Sequence, residues 1–190
     1  MKRFKIIPIL LAALFSYGVS IAQQSYSITG PVEMKVSGTS TIHDWDMVSN
    51  EGISGQAQMT LENGKLSKIQ SLSLSVNVKG LKSGKSSMDK NAYAALNADK
   101  HEKINFQLTE IMSISDSEVK AKGKLTISGN EQLVTLTAPY QISGNQIKFN
   151  GKHEITFTQF SLEPPTAVFG TIKTGDELTV SFQTTFSQKN

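Results

Sequence analysis

The sequence predicts an all-β fold, an antiparallel eight-stranded barrel with one short helix across an end. Three observations point there: apolar residues alternate with polar ones almost throughout, turn-forming residues fall between the alternating runs, and many runs are long. A period of two is the signature of a strand with one buried face. Strands with one apolar face must close into a barrel or pair as a sandwich to manage their edges. Run length favours the barrel.

Alternation begins at Tyr26 and passes through Val32, Met34 and Val36, then Ile53, Ala57, Met59 and Leu61. It continues at Leu72, Leu74, Val76 and Val78, at Ile104, Phe106 and Leu108, and at Val119, Ala121, Leu125 and Ile127. Val134, Leu136, Ala138, Tyr140 and Ile142 form another set, followed by Ile147, Phe149, Ile155 and Phe157, and by Leu178, Val180, Phe182 and Phe186. Asn50-Glu51-Gly52, Asn63-Gly64, Asp116-Ser117, Gly129-Asn130 and Gly144-Asn145 separate these runs and suit tight hairpins.

Two segments break the alternation. From Ser86 to Asn97, Met88, Ala92, Ala95 and Leu96 recur at helical spacing, and Ser86 with Asp89 resembles a capping box. A short amphipathic helix plugging one end of the sheet is expected. From Gln159 to Asp176 the chain holds Pro164-Pro165 together with Phe160, Leu162, Val168 and Phe169. That apolar content fits a packed loop or a lid better than a solvated linker.

Residues 1–22 read as a cleaved secretory signal: Lys2, Arg3 and Lys5, an apolar stretch from Ile6, and small residues at Ser20 and Ala22. Residues 23–190 then form a single domain, placed in the periplasm or secreted. The formal charge of +3 comes from the leader, which carries three of the 19 cations and none of the 16 carboxylates. Arg3 is the only arginine, so the folded part lacks the planar fork that grips phosphates and base edges, and no nucleic acid is expected as partner. The absence of cysteine removes disulfides, thiolate chemistry and a lipid-attachment cysteine.

No catalytic site, metal site or cofactor is expected. His43, His101 and His153 are far apart in sequence, and His43-Asp44-Trp45-Asp46 matches no standard ligand spacing. A solvated role for His43 and Asp44 outweighs a catalytic one. His153 shares the inward parity of Phe149 and Phe157 and reads as a hydrogen-bonded interior histidine. The informative feature is missing volume: Gly38, Gly55, Gly123 and Gly151 fall on the inward parity, as do Ala57, Ala121 and Ala138. In-strand glycines can relieve crowding where strands coil, but as a set they suggest a cavity able to hold one ligand.

Met34, Met59, Phe106, Ala138, Tyr140, Phe149, Phe157 and Phe182 would line that cavity, with Trp45 and Met47 near its mouth and Phe169 in the covering loop. Such a wall suits a long-chain apolar lipid. Drawing a chain of about 16 carbons out of a bilayer demands matching roughly 13 kcal/mol of burial, at about 0.8 kcal/mol per CH₂, which a shallow patch cannot supply.

Three blocks then carry a resemblance. Ile53-Ser54-Gly55, the stretch from Met88 to Leu96 followed by Asp99-Lys100-His101-Glu102-Lys103-Ile104-Asn105-Phe106, and Gly123-Lys124-Leu125-Thr126-Ile127-Ser128-Gly129 resemble the YceI-like family of secreted bacterial lipocalin-like proteins. Glu102 stands where that family often has proline, and the segment from Gly38 to Trp45 differs from its usual N-terminal strand. The resemblance implies an eight-stranded lipocalin-like barrel that holds a polyisoprenoid or similar lipid in the periplasm without catalysis. Transient contact with a membrane is expected of such a carrier. The alternative is a filled barrel serving as an envelope scaffold that binds another protein through its loops.

Overall fold

A computed structural model describes residues 23–189, so the expected leader lies outside the described residues. The chain forms β1 (Gln24–Ile28), β2 (Glu33–Ser40), β3 (Trp45–Ser49), β4 (Ile53–Glu62) and β5 (Lys65–Asn77). A crossover of one 3-10 turn (Val78–Gly80) and helix α1 (Ser86–Ala95) leads to β6 (Lys103–Ile114), β7 (Glu118–Ile127), β8 (Asn130–Ser143) and β9 (Gln146–Thr156). A second 3-10 turn (Thr158–Phe160), the two-residue β10 (Thr166–Ala167) and the long β11 (Ile172–Gln188) complete it. Every pairing between these strands is antiparallel.

The sheet closes on itself through β1-β4-β5-β6-β7-β8-β9-β11 and back to β1, an antiparallel barrel of eight strands. Closure depends on the length of β11, which runs the full height of the wall. Its lower part pairs Ser187 with Ser27 of β1, and its upper part pairs Val180 with Val36 of β2. The N-terminal edge is thus split at Gly30-Pro31, where proline removes a ladder donor and an added Cβ on Gly30 would stand 2.9 Å from Thr185. β3 extends the wall beyond β2 near the open end and meets the crossover through the Val48–Lys82 bridge. Its Trp45, Met47 and Ser49 alternation is too short to stand out in the sequence.

Turn chemistry fixes the hairpins with two adjustments. Asn63 and Gly64 take φ of 52° and 76°, the primed turn that matches strand twist. The β7–β8 turn uses Ser128 and Gly129 at φ 49° and 80° rather than Gly129-Asn130. The helix start also differs from expectation: the Asp89 carboxylate accepts from Ser83 N–H at 2.8 Å and Ser83 Oγ at 2.7 Å, three residues before Ser86. Ser86 is instead the first helical residue, and no side chain caps at Lys85.

Packing divides the interior. At the end bearing the β4–β5, β6–β7 and β8–β9 hairpins, Tyr26, Met59, Leu66, Ile147 and Phe186 form a solid, buried cluster. A second cluster of Ile127, Ile155, Phe157, Phe160 and Leu178 lies toward the opposite end, beside the second 3-10 turn.

Candidate functional site

Between the hairpin end and α1 the lumen holds a cavity of about 830 Å³, near the upper end of the roughly 300–1,000 Å³ typical of small-molecule sites. Phe149 and Phe186 form its floor, with ring centroids 6.1 Å apart in edge-on contact. Leu72, Leu108, Ile111, Val119 and Phe182 form the lower wall. Trp45, Met47, Leu125 and Val180 belong to the lining above them.

Nine of the expected lining residues border the cavity: Met34, Trp45, Met47, Phe106, Ala138, Phe149, Phe157, Phe169 and Phe182. Met59 and Tyr140 do not, and both belong to the packed cluster. Met59 is fully buried. Tyr140 packs tilted against Phe149, its partner across the β8–β9 ladder, with ring centroids 6.0 Å apart, and its hydroxyl donates to Ser115 O at 2.7 Å, so its polar end is spent at the hairpin end. Burial pushes its phenol up from the ordinary value. Parity gives the face of the sheet and not the height along the barrel, which is why these two were misplaced.

The inward glycines require a second correction. They do not leave holes in the wall; each is roofed by a ring or a chain from a neighbouring strand. The Trp45 indole lies over Gly38, the Phe106 ring over Gly123, and the Phe182 ring over Gly151, where an added Cβ would meet Phe182 at 2.7 Å. Gly55 is covered by Ile28 and Phe186. With no side chain beneath them, the rings can lie back against the sheet, an arrangement known to stabilise in-strand glycine. The glycines therefore widen the lumen indirectly, by letting large rings lie along its wall.

The mouth has two dissimilar jaws. On one side α1 presents Met88, Ala92, Ala95 and Leu96 to the cavity, a contribution that reading the helix as a plug missed although its apolar stripe was visible. It is pinned at several points: Tyr93 Oη donates within 2.7 Å of Leu81 O, Lys82 Nζ donates to Tyr93 Oη at 2.9 Å, and Ser128 Oγ donates to Leu96 O at 2.9 Å. On the other side the β10–β11 hairpin projects, turning through Val168 and Phe169 at φ of 50° and 54°. Left-handed backbone is a genuine outlier for a β-branched residue such as Val168. Val168 and Phe169 are exposed at this tip, as is Ile42 on the adjoining β2–β3 turn.

Below the tip, the hairpin is anchored by Asp176, whose carboxylate accepts from Thr158 N at 2.9 Å and Thr158 Oγ1 at 2.6 Å. These bonds hold its carboxyl below the usual range. His43 and Asp44 sit in an exposed turn, with His43 Nδ1 2.8 Å from the Asp44 main-chain oxygen. His153 is half-buried, borders the cavity, and is held below the ordinary histidine value by burial, with a small opposing effect from Glu154. The hydrogen-bonding partner expected for it is missing among the described residues. No group of three metal-ligating side chains gathers among them either.

A closed antiparallel barrel with a packed floor and an apolar lumen opening beneath a short helix defines the class of protein. The YceI-like domain profile matches residues 28–186, and the chain belongs to that family. Similar solved structures include Burkholderia cenocepacia BcnA (16% identity, TM-score 0.67, covering 81% of this chain and 95% of that one). A polyisoprenoid binding domain from Saccharophagus degradans, implicated in plant cell wall breakdown, is 10% identical with TM-score 0.67 and covers 87% of this chain and 99% of that one. The Campylobacter jejuni YceI protein is 14% identical with TM-score 0.57, over 72% and 81% of the two chains. At these identities the likeness is one of fold. No curated protein sequence is significantly similar to the chain.

Proposed function

We propose that this protein is a lipid carrier that holds an isoprenoid-type or other long-chain apolar ligand in its lumen, for sequestration or transport in the periplasm or outside the cell. The cavity of about 830 Å³ carries the reading, because side chains line it and leave it unfilled. Apolar walls of this depth can replace the burial a lipid tail loses on leaving a bilayer. The leader-like residues 1–22 support the location, and the polyisoprenoid-binding description of the Saccharophagus degradans relative supports the ligand class.

A filled scaffold would not need an open lumen. A hydrolase or isomerase would need converging acid–base groups, and the exposed His43–Asp44 turn supplies none aimed at a common point. The exposed Ile42, Val168 and Phe169 at the mouth favour brief contact with a membrane during loading, since apolar side chains rimming an apolar tunnel shorten the lipid's path through water. The test is native mass spectrometry of mature protein expressed with its leader and purified without detergent, followed by organic extraction. A bound lipid in stoichiometric amount is expected. Empty protein from several gentle preparations, together with no binding of an apolar fluorophore at micromolar concentration, would reject the carrier in favour of the scaffold.

A further inference from the structure

The lumen is not uniformly apolar, and the polar groups are graded by height. The polar side chains around the mouth include Ser40, His43, Lys85, Asn91, Thr166 and Thr174, of which His43 stands on the exposed outer turn. Toward the floor the lining is Leu72, Ile111, Val119 and Phe186, interrupted by the Thr184 side chain. His153 stands between these zones. On its own strand it lies four residues from Phe149 of the floor and four from Phe157 near the rim, and across the ladder it faces Val180, which in turn pairs with Val36. A half-buried imidazole among valines and phenylalanines, with no hydrogen bond to another described residue, leaves its donor and acceptor open to the lumen.

We propose that His153 is a hydrogen-bonding anchor inside the mouth for a neutral hydroxyl or carbonyl on an otherwise apolar ligand, and so sets which long-chain lipids the lumen selects. The inference rests on the carrier reading and deepens it. A neutral imidazole offers one donor and one acceptor, which suits a single uncharged polar group. A ligand held there by its polar end would run its tail down toward Val119 and Phe186. A phosphorylated head is disfavoured, because no arginine stands among residues 23–190 to grip it and, among the described residues, Lys85 is the one lysine bordering the cavity.

The experiment compares hexadecan-1-ol with hexadecane as competitors for a fluorophore bound to delipidated mature protein, in wild type, His153→Leu and His153→Gln. The alcohol should lose at least fivefold in affinity in His153→Leu, while hexadecane keeps its wild-type affinity or gains. His153→Gln, which retains a donor and an acceptor, should recover part of the loss. Melting temperatures report whether each variant is folded, and should His153→Leu misfold, His153→Met, which also lacks a strong donor and acceptor, is read by the same selective loss. Equal losses for both competitors would make His153 a packing residue, and no change for either would remove it from the site; both outcomes overturn the proposal. Wild-type protein that binds neither competitor nor fluorophore overturns the carrier reading itself, a different failure from loss of selectivity.

Discussion

The two ends of this barrel are built from the same strands and the same residue types, yet one is solid and the other hollow. Near the hairpin end, Tyr26, Met59, Tyr140, Ile147 and Phe186 meet across the barrel and bury one another. Above that cluster, Trp45, Phe106 and Phe182 lie back over Gly38, Gly123 and Gly151, and the centre stays open. Aromatic content therefore does not decide whether a barrel is filled. Orientation and neighbours matter instead: the three rings beside the open centre each lie over a glycine of the next strand, while Phe186, which also reaches over Gly55, is held in the floor by the rest of the packed cluster.

The sharpest way to break this comparison is to remove a ring from the solid end. Phe186→Ala should cost about 3–5 kcal/mol of folding stability, because a fully buried ring leaves a cavity its neighbours cannot collapse into. Chemical denaturation measures it, and a loss below about 1 kcal/mol would show that the floor is loosely packed. A smaller effect is expected where a ring lies back on glycine. Gly151→Ala places a methyl group 2.7 Å from the Phe182 ring, so the ring must swing inward, at about 1–3 kcal/mol for overpacking. Lipid capacity should fall in the same variant, since the displaced ring takes up ligand volume.

How much of this was legible in the sequence follows from what periodicity encodes. Alternation at Leu72 to Val76 and at Val134 to Ile142 specified strands and inward faces, though Val78, which continued the first run, opens the 3-10 turn instead, and the stripe from Met88 to Leu96 specified the helix. Height along the barrel is not encoded in a period of two, so Met59 and Tyr140 carried the same inward signature as Phe149 while lying below the cavity. Nor does parity reveal the neighbour across a ladder. The pairing of Phe182 with Gly151, which explains the glycine, depends on a register between segments about thirty residues apart. The lack of a partner for His153 is likewise a property of the assembled lumen.

Between the two ends, His153 makes the comparison sensitive to pH. Burial lowers its pKa, so the folded state prefers neutral imidazole, and the unfolded chain binds the proton more readily. Its contribution to stability is present above the ordinary histidine value near 6.5 and is lost as the pH falls through that value toward the lower folded one. His153→Leu should flatten this part of the stability–pH curve. Unfolding midpoints at several pH values in parallel would show it, and identical slopes in both proteins would place the imidazole in water.

The smallest effect is expected at the outer turn. His43→Ala and Asp44→Ala should each change lipid affinity by no more than about 0.5 kcal/mol, as is usual for exposed substitutions. Loss of cellular function with fold and lipid load intact would instead demand a chemical role for the pair.

The central claim, that the lumen is held open for a ligand, is tested most directly at Ala138, which borders the lower part of the cavity opposite Val119, where it adjoins the packed cluster. Ala138→Phe projects a ring into the lumen, and apo melting temperature and lipid occupancy are measured on the same preparation. The account predicts apo stability within about 1 kcal/mol of wild type, because the ring fills space rather than overpacking it, together with a sharp fall in bound lipid. A variant that is strongly destabilised yet still loads lipid would contradict it, since Ala138 would then face packed side chains and the ligand would lie elsewhere.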